Sequence, residues 1–309
     1  MTSTADTTPL VEAVDLSKEF PVANRAKVHA VEHVSFTLDA GETLAVVGES
    51  GCGKSTLAHL LIRLLEPTGG RVILDGQDIT DLNARAMREH RRKMQIIFQD
   101  PFASLDPRRT VGRAVEEPLV VHGVAKGSDL TDRVAKLFKR VGLEPEMASQ
   151  FPHQFSGGQR QRICIARALT LEPQLVIADE AVSALDVSIQ AQVINLMMEL
   201  QAEMGLSYLF ISHDLAVVER VSHRVAVMYL GQIVEIGSRS AIFENPQHSY
   251  TRRLLDAVPI ADPRKRRERP LLTDEIPSPV WAPGTAPERV EMVEVSPGHL
   301  VANESEGER

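Results

Sequence analysis

The segment Gly48-Glu49-Ser50-Gly51-Cys52-Gly53-Lys54-Ser55-Thr56 decides how the chain is read. It has the spacing G-x-x-x-x-G-K-[ST]. The apolar run Thr43-Leu44-Ala45-Val46-Val47 precedes it, and Leu/Ile at helical spacing follows from Leu57 to Leu65. Strand, glycine loop and helix, in that order, is the context in which this spacing binds phosphate. Glycines let consecutive backbone N–H groups point into one concavity, and a helix N-terminus adds the positive end of its dipole. Lys54 is placed to reach the β- and γ-phosphates of a nucleoside triphosphate, and the Ser55 hydroxyl to ligate Mg²⁺.

At 309 residues the chain is long enough for one large or two unequal domains with a sizeable core. Its 43% hydrophobic and 25% charged content are those of a globular protein. A net charge of −8 argues against nucleic acid as a partner. The densest basic run, Arg264-Lys265-Arg266-Arg267 with Arg269, reads as a solvated surface run, with anionic lipid headgroups as the alternative. Cys52 and Cys164 make neither a disulfide framework nor a metal-ligand set. The first eight residues lack the basic start and apolar core of a signal peptide. Leu57–Leu65, interrupted by His59 and Arg63, is too short to span a membrane. The expectation is a cytosolic protein that docks on a membrane through other subunits.

Working outward, residues 10–14, 31–38 and 43–47 alternate as strands do, and Phe20 falls in an expected loop. Arg71–Leu74 reads as a strand running into an Asp75-Gly76 turn. A basic helix over 83–93 and an apolar strand over 94–98 follow. Residues 111–122 and 129–141 read as two helices of an inserted helical subdomain. The βα alternation then resumes: helix 158–169, strand 175–178, helix 188–203, strand 207–211, helix 214–220, strands 224–229 and 232–236, and helix 248–257. Strands alternating with helices imply a mostly parallel sheet covered on both faces. Beyond Pro259, Pro, Glu and Arg dominate without periodicity, so a loosely structured tail is expected.

A nucleotide hydrolase needs a carboxylate for Mg²⁺, a group that orients water and a sensor for the γ-phosphate. Candidates for each stand at ends of apolar strands, where ligands of α/β sheets bind. Asp179 and Glu180 close 175–178; Asp179 suits Mg²⁺, directly or behind its ligands, and Glu180 suits polarisation of the attacking water. Gln99 follows 94–98 and is able to touch both metal and water. His213 follows 207–211, where an imidazole hydrogen-bonds a phosphate oxygen. Ser156-Gly157-Gly158-Gln159 opens a second anion-binding helix start. One nucleotide meets both helix starts only if two chains face each other head to tail.

Together these residues resemble the ATP-binding cassette family over roughly residues 10–255. Gly48–Thr56 looks like its Walker A motif, Gln99 its Q-loop, Leu175–Glu180 its Walker B, Ser183-Ala184-Leu185-Asp186 its D-loop and His213 its switch histidine. Phe155-Ser156-Gly157-Gly158-Gln159 resembles the signature motif, with Phe for the commonest Leu. The resemblance implies an α/β fold: a P-loop NTPase core with a mostly parallel sheet and helices on both faces, an antiparallel β subdomain, and an inserted helical subdomain at about 105–160. Residues 1–255 would form the nucleotide-binding domain. The implied ligands are ATP and Mg²⁺, with Ser55, Gln99 and Asp179 as metal contacts. Phe20 matches the adenine-stacking aromatic, and Asp186 and Ser156–Gln159 would contact nucleotide across a dimer.

A narrower resemblance, to oligopeptide/dipeptide importer ATPases, rests on Gln99–Arg108, His153–Arg162 and Asn245-Pro246-Gln247-His248-Ser249-Tyr250-Thr251. It also rests on the tail pieces Ile276–Pro279 and Ser296–Ala302, which make 256–309 that subgroup's extension. The implied partners are a second ATPase subunit, two membrane permeases and an extracytoplasmic peptide-binding protein, with the chain at the cytoplasmic face of the cell membrane. Ala181 replaces the usual Pro after Glu180, for which a softer loop is expected. Gly284–Val295 has no cysteine, so an iron–sulfur cluster is not expected. A repair or translation ATPase of the same family is disfavoured: no sustained heptads and no second Walker motif occur. A non-hydrolysing ATP switch is disfavoured by Glu180 and His213, and import of a metal chelate or sugar is the alternative to peptide.

Overall fold

The computed structural model of the protein describes residues 8–257, 280–282 and 285–303. Its strands are β1 (Val11–Pro21), β2 (Lys27–Leu38), β3 (Thr43–Val47), β4 (Gly69–Leu74), β5 (Gln77–Asp78), β6 (Met94–Ile97), β7 (Leu175–Asp179), β8 (Ser207–Ile211), β9 (Arg224–Tyr229), β10 (Gln232–Ser238), β11 (Val280–Trp281), β12 (Met292–Ser296) and β13 (His299–Ala302). The helices are α1 (Lys54–Leu61), α2 (Ala84–Lys93), α3 (Val111–His122), α4 (Ser128–Arg140), α5 (Gly157–Leu169), α6 (Val187–Met204), α7 (Leu215–Val221), α8 (Arg239–Glu244) and α9 (Ser249–Asp256).

Two sheets result. The larger has the order β12-β13-β10-β9-β3-β8-β7-β6. Within it β9, β3, β8, β7 and β6 run parallel, while β10, β13 and β12 add antiparallel strands at one edge. The smaller, antiparallel sheet has the order β11-β2-β1-β4-β5. The parallel strands read as continuous apolar runs because both of their faces are covered. In β3, Leu44 and Val46 enter one core while Ala45 and Val47 enter the other; in β8, Leu209 and Ile211 oppose Tyr208 and Phe210 in the same way. One core joins the parallel sheet to α1 and the antiparallel sheet, and the other joins it to the helices α3–α6. The period-2 side-chain direction of a strand thus divides the molecule into layers.

Caps mark where helices begin. The Asn83 side chain accepts from the amides of Arg85 and Ala86 ahead of α2, and Asp214 accepts from Ala216 and Val217 ahead of α7. The helices α3 and α4 fall between β6 and β7, where the helical insertion is expected.

Two expectations need correction. Phe20 is not in a loop; it lies in β1, paired with Val28 of β2. The loop expectation fails because β2 supplies a partner along almost the whole of β1. The tail is also not loose throughout. β11 pairs with β2, β13 with β10, and β12 with β13. Backbone pairing with edges of preformed sheets orders a segment whose own side chains show little periodicity. The basic run at 264–269 and Ile276–Pro279 lie outside the described residues. Phe138 of α4 is fully buried among the helices of the second core. Phe138→Ala is expected to destabilise the chain by about 3–5 kcal/mol, read from the shift in urea unfolding.

Candidate active site

The glycine loop leaves the C-terminal end of β3 and enters α1 through Gly53, whose φ is +109. Two of its glycines are required by space as well as by backbone angle. A Cβ at Gly53 would lie 1.9 Å from the Ala30 carbonyl oxygen of β2, and one at Gly48 2.1 Å from the Met228 carbonyl oxygen of β9. Lys54 is buried and donates to the Gly48 carbonyl at 2.9 Å and the Glu49 carbonyl at 2.7 Å. Its ammonium is therefore held against the loop. Ser50 and Gly51 are exposed at the rim, Thr56 is half-buried in α1, and Cys52 is buried, its thiol pushed up by burial and so kept protonated.

The strand ends bring four of the other candidates together. Ser55 Oγ donates to Asp179 Oδ1 at 2.9 Å, joining the start of α1 to the end of β7. Glu180 Oε2 accepts from Gln99 Nε2 at 2.8 Å and lies 3.3 Å from His213 Nδ1. Gln99 follows β6 and His213 follows β8, so the two strands flanking β7 deliver their side chains to the carboxylate that follows it. Glu180 itself has φ +47, the left-handed region that few non-glycine residues adopt. A proline at 181 would push residue 180 toward extended backbone; Ala181 leaves that turn free.

Asp179 is buried and its carboxyl is pushed above the ordinary range, first by desolvation and further by Glu180. The Ser55 hydrogen bond, His59 and Lys54 pull it back down. Among the described residues no group of three His, Cys, Asp or Glu side chains forms a metal cage. Ser55 Oγ, an Asp179 oxygen and the Gln99 amide oxygen are nonetheless the hard oxygen donors that suit Mg²⁺ when phosphates and water complete its shell. The set fits a metal that arrives with its nucleotide.

Other candidates stand apart from this cluster. Ser156 is exposed at the start of α5 and shares a reciprocal cap with Gln159: its hydroxyl accepts from the Gln159 amide at 3.3 Å, and its own amide donates to Gln159 Oε1 at 3.0 Å. Gly158 is packed so that a Cβ would meet Ile189 Cγ2 at 2.4 Å, which ties α5 to the start of α6 beside exposed Asp186. Phe155 is buried in the helical core, so the larger ring is accommodated. Phe20 sits on the antiparallel sheet with the Lys18 ammonium 5.3 Å from its ring centre, paired to β2 two residues from Ala30.

Two residues without a role in the sequence reading reach the site. His59, one turn along α1 from Ser55, lines the same cleft of about 740 Å³ as Ser55, Gln99 and Asp179, with Nε2 buried and unpartnered among the described residues. Tyr250 accepts a 3.1 Å hydrogen bond from the Glu49 amide. Its only sequence signal is membership of the Asn245–Thr251 stretch. Because folding raises the Asp179 carboxyl above its unfolded value, its negative charge costs stability above that range. Asp179→Asn is therefore expected to raise the melting temperature in the absence of divalent cations by about 1–3 °C near neutral pH; a fall would contradict the desolvated carboxylate.

Comparisons with known proteins bear on the family. Residues 31–183 match the ABC transporter family model, and residues 234–284 match the oligopeptide/dipeptide transporter C-terminal region. The glutathione import ATP-binding protein GsiA of Pectobacterium atrosepticum is 59% identical over 302 residues, which covers 96% of this chain and 48% of that protein. GsiA of Escherichia coli K12 is 58% identical over 304 residues, covering 96% of this chain and 49% of that protein. The chain thus spans about half the length of the curated relatives it matches. Among solved structures, the dimeric post-hydrolysis state of the ATP-binding cassette MJ0796 bound to ADP and Pi superposes with TM-score 0.68 at 29% identity, covering 74% of this chain and 98% of that one. For cbiO1 of Clostridium perfringens, part of the ABC transporter complex cbiONQ, the TM-score is 0.68 at 28% identity, covering 77% and 91%. With the glycine loop, the strand ends and the start of α5 in the arrangement described, the chain belongs to the ATP-binding cassette family of transporter ATPases.

Proposed function

We propose that the chain is the ATP-hydrolysing subunit of an importer that takes up peptides. The observation that carries the hydrolytic part is the convergence of Gln99 and His213 on Glu180, beside the Ser55–Asp179 pair. Residues 1–255 serve as the nucleotide-binding domain, with the helices between 105 and 160 as its insertion. Lys54 and the amides of Gly48–Thr56 hold the β- and γ-phosphates. Ser55, Asp179 and Gln99 would hold Mg²⁺, which would neutralise charge on the phosphates. Glu180 takes up the attacking water and aligns it on the γ-phosphorus, while His213 donates to a γ-phosphate oxygen. Phe20 stacks on the adenine.

The site is completed by a second cassette, identical or homologous, packed head to tail. Ser156, Gly157, Gly158, Gln159 and Asp186 of that cassette close over the phosphates. Support comes from the exposed position of Ser156 and Asp186 and from the dimeric solved relatives. Closure on ATP and reopening after hydrolysis move the two cassettes as rigid bodies. No helix of the described residues is long and apolar enough to cross a membrane. In this reading two permease subunits carry the peptide through the membrane and hold the chain at its cytoplasmic face, with a peptide-binding protein outside. The peptide assignment is supported by the C-terminal match and by relatives that import glutathione, itself a short peptide.

Glu180→Gln is expected to lower ATP turnover at least about a hundred-fold while ATP binding is preserved; an unchanged rate removes Glu180 from the mechanism. Lys54→Ala is expected to abolish measurable ATP binding in a titration with a fluorescent ATP analogue. For the cargo, the permeases that co-purify with the chain are reconstituted with their binding protein in vesicles. ATP-dependent uptake of labelled peptide supports the reading, and uptake of a sugar or metal chelate alone overturns it.

A further inference from the structure

The Glu49 amide belongs to the glycine loop, yet it donates to the hydroxyl of Tyr250, 201 residues away in sequence. Tyr250 is buried, and its ring lies against that of Tyr229 with centres 4.3 Å apart, so the hydroxyl is held in place. Burial drives its phenol far above the usual range, and it stays neutral. Behind Tyr250 the hydrogen bonds continue. The Tyr250 amide donates to His248 Nδ1 at 3.1 Å, capping α9. The amides of His248 and Gln247 donate to the two oxygens of the Glu235 carboxylate at 3.1 and 2.8 Å. Glu235 is wholly buried in β10, and its Oε1 also lies 2.8 Å from His299 Nε2. His299 is itself buried and begins β13, in the C-terminal segment.

That segment reaches the loop by a second route. β11 adds to the edge of β2, and Trp281 packs edge-on against His29, ring centres 6.5 Å apart. His29 precedes Ala30, whose carbonyl oxygen is the atom that excludes a side chain at Gly53. The turn between β9 and β10 closes the arrangement, since the Gly231 amide donates to the Cys52 carbonyl at 3.0 Å and the Gly231 carbonyl accepts from Glu32 at 2.8 Å.

We infer that the C-terminal strands buttress the glycine loop, and that Tyr250 is the positioning residue through which Glu235 and His299 set the affinity of the loop for nucleotide. The inference rests on the ATP-binding reading of the loop and assigns a role to the Asn245–Thr251 stretch that nucleotide chemistry alone leaves idle. A hydrogen bond to one loop amide fixes where its neighbours point, and the phosphate cradle is made of those neighbours.

The test measures MgATP affinity of the full chain by titration with a fluorescent ATP analogue, together with melting temperature and turnover at saturating ATP. Tyr250→Phe keeps the ring and removes the oxygen. It is expected to weaken binding about three- to ten-fold, with turnover at saturation changed less than about two-fold. His299→Ala is expected to act in the same direction, and His299→Gln, which keeps a donor, to recover most of the loss. The double variant Tyr250→Phe/His299→Ala should bind no worse than the weaker single variant, because both act through one chain of contacts. Wild-type affinity in Tyr250→Phe, or losses that multiply in the double variant, overturns the inference. If the wild-type chain binds while Lys54→Ala does not, such a failure falls on the buttress alone. If the wild-type chain fails to bind, the ATP reading itself falls.

Discussion

A loop that has no room for side chains is the constraint from which the site follows. Gly53 presses on the Ala30 carbonyl of the antiparallel sheet and Gly48 on the Met228 carbonyl of the parallel one, each closer than any Cβ permits. The loop is therefore clamped between two backbones that belong to different sheets. Interiors packed at crystal density do not yield by an ångström without rearrangement, so the relative position of the sheets is set where the loop passes between them. Preorganisation of this kind is what an electrostatic site requires, because donors fixed before the ligand arrives need no reorganisation during reaction.

Two buried carboxylates show how the fold separates structure from chemistry. Glu235 receives two backbone amides and a histidine nitrogen, and its oxygens are satisfied inside the protein. Such a group belongs to the architecture, since an unpaired buried charge is costly and a fully paired one specifies a single packing. Asp179 is nearly as buried but takes one side-chain hydrogen bond, from Ser55, among the described residues. Its carboxyl is pushed up by the missing solvation. A carboxylate with unmet solvation in a cleft is where a cation gains most by binding. Glu180, with its left-handed backbone and two polar neighbours on one oxygen, is the second place where local comfort gives way to a functional arrangement.

Much of this was legible from residue spacing. The strands 43–47 and 207–211, the helices 111–122 and 158–169, and the strand-end positions of Gln99, Asp179 and His213 follow from local periodicity and apolar runs, which a linear pattern records well. Phe20 and the tail were misread for one reason. Their strand structure is supplied by partners far along the chain: Val28 opposite Phe20, and β2 and β10 opposite the C-terminal strands. Edge pairing stabilises backbone irrespective of side-chain alternation, so it leaves little trace in the sequence of the strand that is added.

Alone, the sequence determined the chemical inventory: a glycine loop with its lysine, a carboxylate pair, an amide, an imidazole and a second glycine-opened helix, each with its local element. Short-range rules suffice for these, because glycine conformations, caps and strand ends depend on a few neighbouring residues. Only the tertiary structure decided that Gln99 and His213 share one oxygen of Glu180, that His59 looks into the same cleft, and that Tyr250 holds an amide of the loop. Those contacts bridge dozens to two hundred residues, and their geometry is set by how sheets and helices pack rather than by anything adjacent in the chain.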